Sequence, residues 1–153
     1  MFGVRVVRAA LVAAVAIALA VSFVAGVFVG AIMESSRRIS NKAAIKAVNV
    51  GVYQDPALTV PLTEIDWGVL EPGEEKNYTA YIKNESNVAL TLFLTTENWS
   101  PLNASSFIAL TWNYYGQPLE VDESVEVTLT LAVDPAISGI TSFSFDIVIV
   151  GQG

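Results

Sequence analysis

The chain has 153 residues, of which 53% are hydrophobic and only 15% are charged, and it contains no cysteine and no histidine. The absence of these two residue types excludes imidazole or thiolate metal centres, cysteine nucleophiles, histidine-based catalytic triads and disulfides. After Lys46 the chain has two lysines against 14 acidic residues, a net charge of −12, and such a surface repels nucleic-acid phosphates.

The N-terminal part of the chain predicts a membrane anchor. Residues 1–8 form a short tail, and residues 9–33 are 25 residues without a charge. A helix of that length extends about 37 Å and crosses a hydrocarbon core of about 30 Å. We therefore predict a transmembrane α-helix over residues 9–33, in contact with membrane lipid. Gly26 and Gly30 form a Gly-xxx-Gly pair, a candidate face for close packing between two such helices.

Three interpretations of this hydrophobic segment remain open. Its length and its basic flanks favour an uncleaved signal anchor. A cleaved secretory signal would use the small residues 18–20 as its cleavage site. Arg8-Ala9 directly before an apolar helix also resembles the leader of archaeal type IV pilin-like proteins, in which the hydrophobic helix packs into a filament.

Four Asn-x-Ser/Thr sequons indicate on which side of the membrane the C-terminal domain lies. They begin at Asn77, Asn84, Asn98 and Asn103 and fall within 29 residues. The basic residues on the two sides of the hydrophobic segment differ little and slightly favour a cytoplasmic domain. The sequons favour a glycosylated surface instead, so we predict a single-pass protein of the cell membrane with an extracellular C-terminal domain.

The remaining chain predicts an all-β domain. Residues 34–46 are polar and charged and predict a membrane-proximal stalk, and from residue 47 to residue 153 apolar residues alternate with polar ones, which is typical of half-buried strands. Asn84–Asn87 predicts a hairpin, and Leu70–Glu74 predicts a type II turn because Pro72 precedes Gly73. The predicted strands lie at about 47–53, 63–67, 77–83, 88–95, 107–113, 124–133 and 141–150. About seven short strands without an amphipathic helix predict an antiparallel β-sandwich.

Several short motifs follow one another as they do in a known class of domain. These motifs are Ile65-Asp-Trp-Gly68, Leu70-Glu-Pro-Gly73, Tyr81-Ile-Lys-Asn84 and Asn87-Val-Ala-Leu90. Their succession resembles immunoglobulin-like sandwiches of the Hydin and major-sperm-protein type and the ectodomains of single-pass archaeal surface proteins. The resemblance implies an immunoglobulin-like fold and an envelope setting, and it implies no catalytic residue.

The acidic and aromatic side chains of the domain indicate an interaction role rather than catalysis. The acidic clusters at 71–75 and 120–126 lack the spacing of a calcium loop, and we interpret them as solvated turn charges, so that no metal and no cofactor is expected. Trp67 and Trp112 are predicted to lie in the core. Trp99, Tyr114 and Tyr115 are predicted to lie at exposed loops, where aromatic side chains favour interfaces.

Together these patterns predict a non-catalytic, membrane-anchored extracytoplasmic module with a structural or protein-interaction role in the cell envelope. Its expected partners are membrane lipid and either another protein or a second copy of the chain, with no nucleic acid. The alternative is a filament subunit that assembles through its hydrophobic helix, or through an N-terminal strand at 43–53 donated to a neighbour.

Overall fold

The computed structural model describes residues 39–153, so the predicted tail (1–8), helix (9–33) and packing residues Gly26 and Gly30 lie outside the described residues. Within 39–153 no helix has the length and apolar character that a membrane crossing requires. In chain order the elements are β1 (Ile39–Val48), β2 (Val50–Tyr53), β3 (Glu64–Leu70), β4 (Glu75–Asn84), β5 (Thr91–Ser100), a 3₁₀ helix (Leu102–Ser106), β6 (Ile108–Trp112), β7 (Ser124–Val133) and β8 (Ser142–Gln152).

The strands form two four-stranded sheets. Sheet 1 has the order β3-β1-β8-β5 and sheet 2 the order β2-β4-β7-β6. The prediction of an all-β fold is confirmed, with eight strands rather than about seven. One pair departs from the predicted antiparallel arrangement, because the first strand, β1, runs parallel to the last strand, β8.

The two sheets share one apolar core. On β8 the alternation predicted from the sequence is observed, since Phe143, Phe145, Ile147 and Ile149 are buried and the residues between them are half-buried or exposed. On β7, Val127, Leu129 and Leu131 are fully buried in the same way. This period of two follows from the pleat of a strand, which directs successive side chains to opposite faces.

The β-domain begins earlier than the predicted boundary between a stalk at 34–46 and a sandwich at 47–153. Residues from Ile39 onward already belong to β1, which pairs with strands on both sides. Two of its inward side chains, Asn41 and Ala43, are polar or small and yet fully buried. Residues 40–44 include no large apolar residue that would mark an inward face. Their polar sequence therefore predicts a stalk rather than a strand.

Asn49 passes the chain from sheet 1 to sheet 2. It is the single residue between β1 and β2 and has a left-handed φ of 63°, a conformation that asparagine tolerates better than most residues. This bend changes the phase of the alternation. Val50 and Val52 are buried as predicted, whereas Val48, predicted on the same face, is 47% exposed.

The Ile65-Asp-Trp-Gly68 motif forms a bulge in β3. The β1–β3 register skips Trp67 between the pairs Lys42–Asp66 and Asn41–Gly68. Gly68 has a φ of 65°, and the Asp66 carboxylate accepts a hydrogen bond of 2.8 Å from its N–H. The motif thus encodes a local backbone geometry, in which glycine supplies the positive φ that a bulge needs.

Candidate interaction surface

The parallel pairing of β1 and β8 gives the domain two distinct ends. Ser40 lies opposite Ser142 where both strands begin, and Val48 lies opposite Val150 where both strands finish. We call these the proximal end and the distal end. Because residue 38 precedes β1 directly, the N-terminal segment joins the domain at the proximal end.

Exposed apolar side chains concentrate at the distal end. Of the eight large hydrophobic side chains exposed among the described residues, five lie there: Val48 (47%), Val88 (50%), Phe93 (47%), Tyr115 (89%) and Val121 (46%). Scattered exposed apolar residues are normal on a protein surface, but residues that collect in one region mark a contact site. The other three are Val60, Val69 and Leu102.

Three strands contribute one row of this surface. Val48 on β1 pairs with Val150 on β8, which in turn pairs with Phe93 on β5. The three side chains therefore lie side by side on the outer face of sheet 1, at the distal end. Cross-strand neighbours on one face approach to about 5 Å, so the row forms a continuous apolar strip.

Asn84 organises the loops behind this surface. Its side chain is fully buried, and its amide nitrogen donates to the carbonyls of Val88 (2.7 Å) and Leu119 (2.9 Å). Its amide oxygen accepts hydrogen bonds of 2.8 Å from both the N–H and the hydroxyl of Ser86. One side chain thus ties the end of β4 to the loop that precedes β5 and to the loop that precedes β7.

Asn84 is also one of the four predicted glycan acceptors. A glycan would be attached to the amide nitrogen, which here makes two buried hydrogen bonds, and there is no room around a fully buried side chain for a sugar. A glycan on Asn84 is therefore incompatible with this fold. The sequence alone could not show this, since a sequon specifies no burial.

Tyr114 and Tyr115 differ although they are adjacent. Tyr115 is 89% exposed, whereas Tyr114, predicted at an exposed loop, is 8% exposed and belongs to the core. The Tyr114 hydroxyl donates to the carbonyl of Gln117 and accepts from the N–H of Leu92 at 3.3 Å. Tyr114 thus holds the loop that presents Tyr115, and the exposure predicted for Tyr114 is wrong.

Trp99 also differs from its predicted exposure. It is half-buried, and its ring stacks on that of Phe145 with centroids 4.2 Å apart and planes at 8°. The remaining tryptophans lie closer to their prediction, since Trp67 is buried and Trp112 is half-buried against the core. Tyr115 is therefore the one predicted interaction aromatic that lies open at the surface.

The other three sequon asparagines are exposed. The side-chain amide oxygen of Asn77 accepts a hydrogen bond of 2.8 Å from the Thr130 hydroxyl on the outer face of sheet 2. The Asn98 amide donates to Asp146 at 2.7 Å and its backbone has a φ of 53°. Asn103 lies in the 3₁₀ helix. Asn77 and Asn103 are thus accessible, while Asn98 already uses its amide nitrogen.

Lys46 is the centre of an ion-pair cluster that joins three strands of sheet 1. Its ammonium lies 2.7 Å from Asp146 on β8 and 2.8 Å from Glu97 on β5. The hydrogen bond to Asp146, followed by that to Glu97, raises the pKa of Lys46 to about 12. The bond from Lys46, with a second from Asn98, holds the pKa of Asp146 below its usual value.

The acidic clusters at 71–75 and 120–126 lie in turns, where their carboxylates accept hydrogen bonds or form ion pairs. Within residues 39–153 no group of three or more acidic side chains is arranged to hold a metal ion. Instead, the Glu74 and Glu123 carboxylates accept backbone hydrogen bonds inside their own turns, and Lys83 pairs with Asp122 at 3.2 Å.

Comparison with known proteins finds no protein-family model that matches the chain and no significant match among curated proteins.

Proposed function

We propose that the protein is a membrane-anchored, extracytoplasmic, immunoglobulin-like module with a structural or protein-interaction role in the cell envelope, and that it is not an enzyme. The apolar segment at 9–33 supports the anchor, and the exposed sequons at Asn77 and Asn103 support the external placement. The succession of turn motifs supports the immunoglobulin-like class.

One observation carries the interaction role. The N-terminal segment joins the domain at the proximal end, and five of the eight exposed large apolar side chains lie at the distal end. The end at which the chain enters β1 is thus not the end that carries these apolar side chains, and we assign the interaction role to the distal end. Aromatic side chains such as Phe93 and Tyr115, which both lie at this end, are enriched at protein interfaces.

Crosslinking in cells tests the interaction role. A photo-crosslinking amino acid at Tyr115 is expected to capture a specific protein partner. The matched control is the same amino acid at Leu102, which is 80% exposed but belongs to the 3₁₀ helix. Equal capture at the two positions, or none at Tyr115, would contradict an interaction role for the distal end.

A separate experiment tests the placement. Protease added to intact cells is expected to cleave the C-terminal domain, and peptide mass spectrometry is expected to find glycans on Asn77 and Asn103 and none on Asn84. The mature N-terminus, read by the same method, distinguishes an anchor that keeps residues 1–8 from a pilin-like leader cleaved near Ala9. Protection of the domain with unmodified sequons would refute the external placement.

A further inference from the structure

We propose that β1 is an exchangeable strand, and that the β1 strand of one chain occupies the slot between β3 and β8 of a second copy. The partner in this inference is therefore another molecule of the same chain. The inference does not depend on the side of the membrane on which the domain lies.

The slot is defined by backbone pairing on both sides of β1. Six residues of β1 pair with β3 and nine pair with β8. Removing β1 would leave two facing strand edges unpaired in the middle of sheet 1. An identical strand from another chain satisfies the same hydrogen bonds, so exchange conserves the contacts of the closed fold.

Side-chain packing holds β1 far less than it holds β8. From residue 41 onward the inward positions of β1 carry Asn41 and Ala43, which are buried, and Ile45, which is half-buried. The inward positions of β8 carry two phenylalanines and two isoleucines, all buried. Because burial of apolar area is the main term that fixes a strand, β1 is held chiefly by backbone hydrogen bonds and by the exposed ion pairs of Lys42 and Lys46. An identical strand from a second copy reproduces both.

The connection between β1 and β2 is a suitable hinge. It is the single residue Asn49, with a φ of 63°, while β2 stays in sheet 2 through four paired residues with β4. A short hinge under strain favours exchange between copies. Extending Asn49 would remove its left-handed conformation and break the hydrogen bond of 3.2 Å that its side-chain amide donates to the carbonyl of Gly151.

The edges of sheet 1 are partly closed to a simple addition of another strand. On β3, the carbonyls of Trp67 (3.0 Å) and Val69 (2.5 Å) accept hydrogen bonds from the Lys76 ammonium. On β5, the Leu92 N–H donates to the Tyr114 hydroxyl. Side chains that occupy edge groups in this way oppose edge-to-edge pairing, so a strand contact between copies is better made in the slot.

Cysteine crosslinking tests the exchange directly, because the chain has no cysteine of its own. Lys42 and Ser144 are exposed and lie opposite each other in the β1–β8 register. Neighbouring strands lie about 4.8 Å apart, within the range that a disulfide spans. The experiment co-expresses two full-length single variants, K42C and S144C, with tags of different size, and oxidises them in their membranes.

Exchange predicts a mixed disulfide dimer of K42C with S144C. The control replaces S144C by S124C, because Ser124 is exposed but lies on β7 of sheet 2, and this pair is expected to lack the mixed dimer. The double variant K42C/S144C reports on the closed chain through an internal disulfide. The proposal is overturned if that internal bond forms but the mixed dimer does not. It is also overturned if neither bond forms, because β1 would then not lie beside β8 in any copy.

Discussion

Glu74 and Glu123 cap two turns in the same way, at opposite ends of the β4–β7 pair. The Glu74 carboxylate accepts the N–H of Glu71 at 2.8 Å, and the Glu123 carboxylate accepts the N–H of Glu120 at 2.8 Å. The backbone N–H of each capping glutamate donates in turn to the carbonyl three residues earlier, at 3.0 and 3.1 Å. Because β4 and β7 are antiparallel, the two turns are related by a local, approximate two-fold rotation.

The third position of each turn has a positive φ, of 82° at Gly73 and 62° at Asp122. The two turns also begin alike in sequence, as Leu70-Glu-Pro-Gly-Glu74 and Leu119-Glu-Val-Asp-Glu123. Only the first turn is predictable from the sequence, because Pro-Gly is an obvious turn signal and Val-Asp is not. The hydrogen bonding confirms that first turn.

Removing either capping carboxylate is expected to weaken its turn. Glu74→Ala and Glu123→Ala should each lower the free energy of unfolding by about 1 kcal/mol, the usual contribution of one such hydrogen bond. Since the turns lie at opposite ends of the strand pair, the double variant should show the sum of the two losses. Urea denaturation measures both. Glu75→Ala, at an exposed neighbouring position, serves as the control and should change little.

Substitutions at the third position of each turn, Gly73 and Asp122, should change the free energy of unfolding in opposite directions. Gly73→Ala places a Cβ on a backbone with positive φ and should lower the free energy of unfolding by about 1 kcal/mol. Asp122 already has a Cβ on a backbone with positive φ, so Asp122→Gly removes that unfavourable conformation. This variant should raise the free energy of unfolding by up to about 1 kcal/mol. Thermal unfolding compares the two variants with the parent chain. Changes of the same sign would contradict the equivalence of the turns.

Asn84 should be among the most sensitive positions of the domain. Asn84→Ala removes a buried side chain with four hydrogen bonds and takes away the acceptor of the Ser86 N–H, at a cost of about 3 kcal/mol in the free energy of unfolding. Asn87→Ala, in the same turn but exposed, is the matched control and should stay within about 0.5 kcal/mol of the parent. Chemical denaturation of the two variants side by side checks the difference.

The hydroxyls of the adjacent tyrosines should contribute unequally to stability. Tyr114→Phe removes the bonds to Gln117 and Leu92 and should lower the free energy of unfolding by about 1–2 kcal/mol. Tyr115→Phe should leave it unchanged because that side chain is 89% exposed. Calorimetric melting temperatures test this, and an equal loss in both variants would refute the buried role of Tyr114.

The Lys46 cluster should make stability depend on pH in both directions. The pKa of Asp146 is lower in the folded chain, so its contribution is present above the usual carboxylate range and is lost as the pH falls through it. The pKa of Lys46 is raised from 10.5 to about 12, so its contribution is complete below 10.5 and is lost as the pH rises towards 12.

The test compares the parent chain with Lys46→Met over the pH range. The difference in the free energy of unfolding should be largest near neutral pH and should shrink at both extremes. Asp146→Asn removes the titrating carboxylate and should flatten the acid side of the profile relative to the parent. A difference between the parent and Lys46→Met that stays constant from pH 3 to pH 11 would exclude these ion pairs as its source.

The class of the domain could be predicted from the sequence because long strands with large apolar residues repeat every two positions. The last strand shows this best, since Phe143, Phe145, Ile147 and Ile149 can all be buried only if the strand has one inward face. The start of β1 could not be predicted, because its inward positions lack large apolar residues. Its buried residues Asn41 and Ala43 carry little hydrophobic signal, and pairing with β3 and β8 rather than its own composition draws it into the sheet.

The residues of the candidate surface also differ in whether their exposure could be predicted from the sequence. An open Tyr115 agrees with the expectation from loop composition, whereas the burial of Tyr114 and of Asn84 depends on partners that are distant in the chain, Leu92 and Leu119 respectively. A sequon or an aromatic loop specifies which group is present, but its neighbours decide whether solvent reaches it.

By itself, the sequence determined that the C-terminal part of this protein is an acidic all-β domain without cysteine or histidine chemistry, because residue content and the period of two are local properties. Only the tertiary structure decided that the first strand lies parallel to the last in the middle of a sheet and that the exposed apolar side chains collect at the distal end. Both depend on pairing between segments about a hundred residues apart, and no local pattern encodes which of several similar strands will meet.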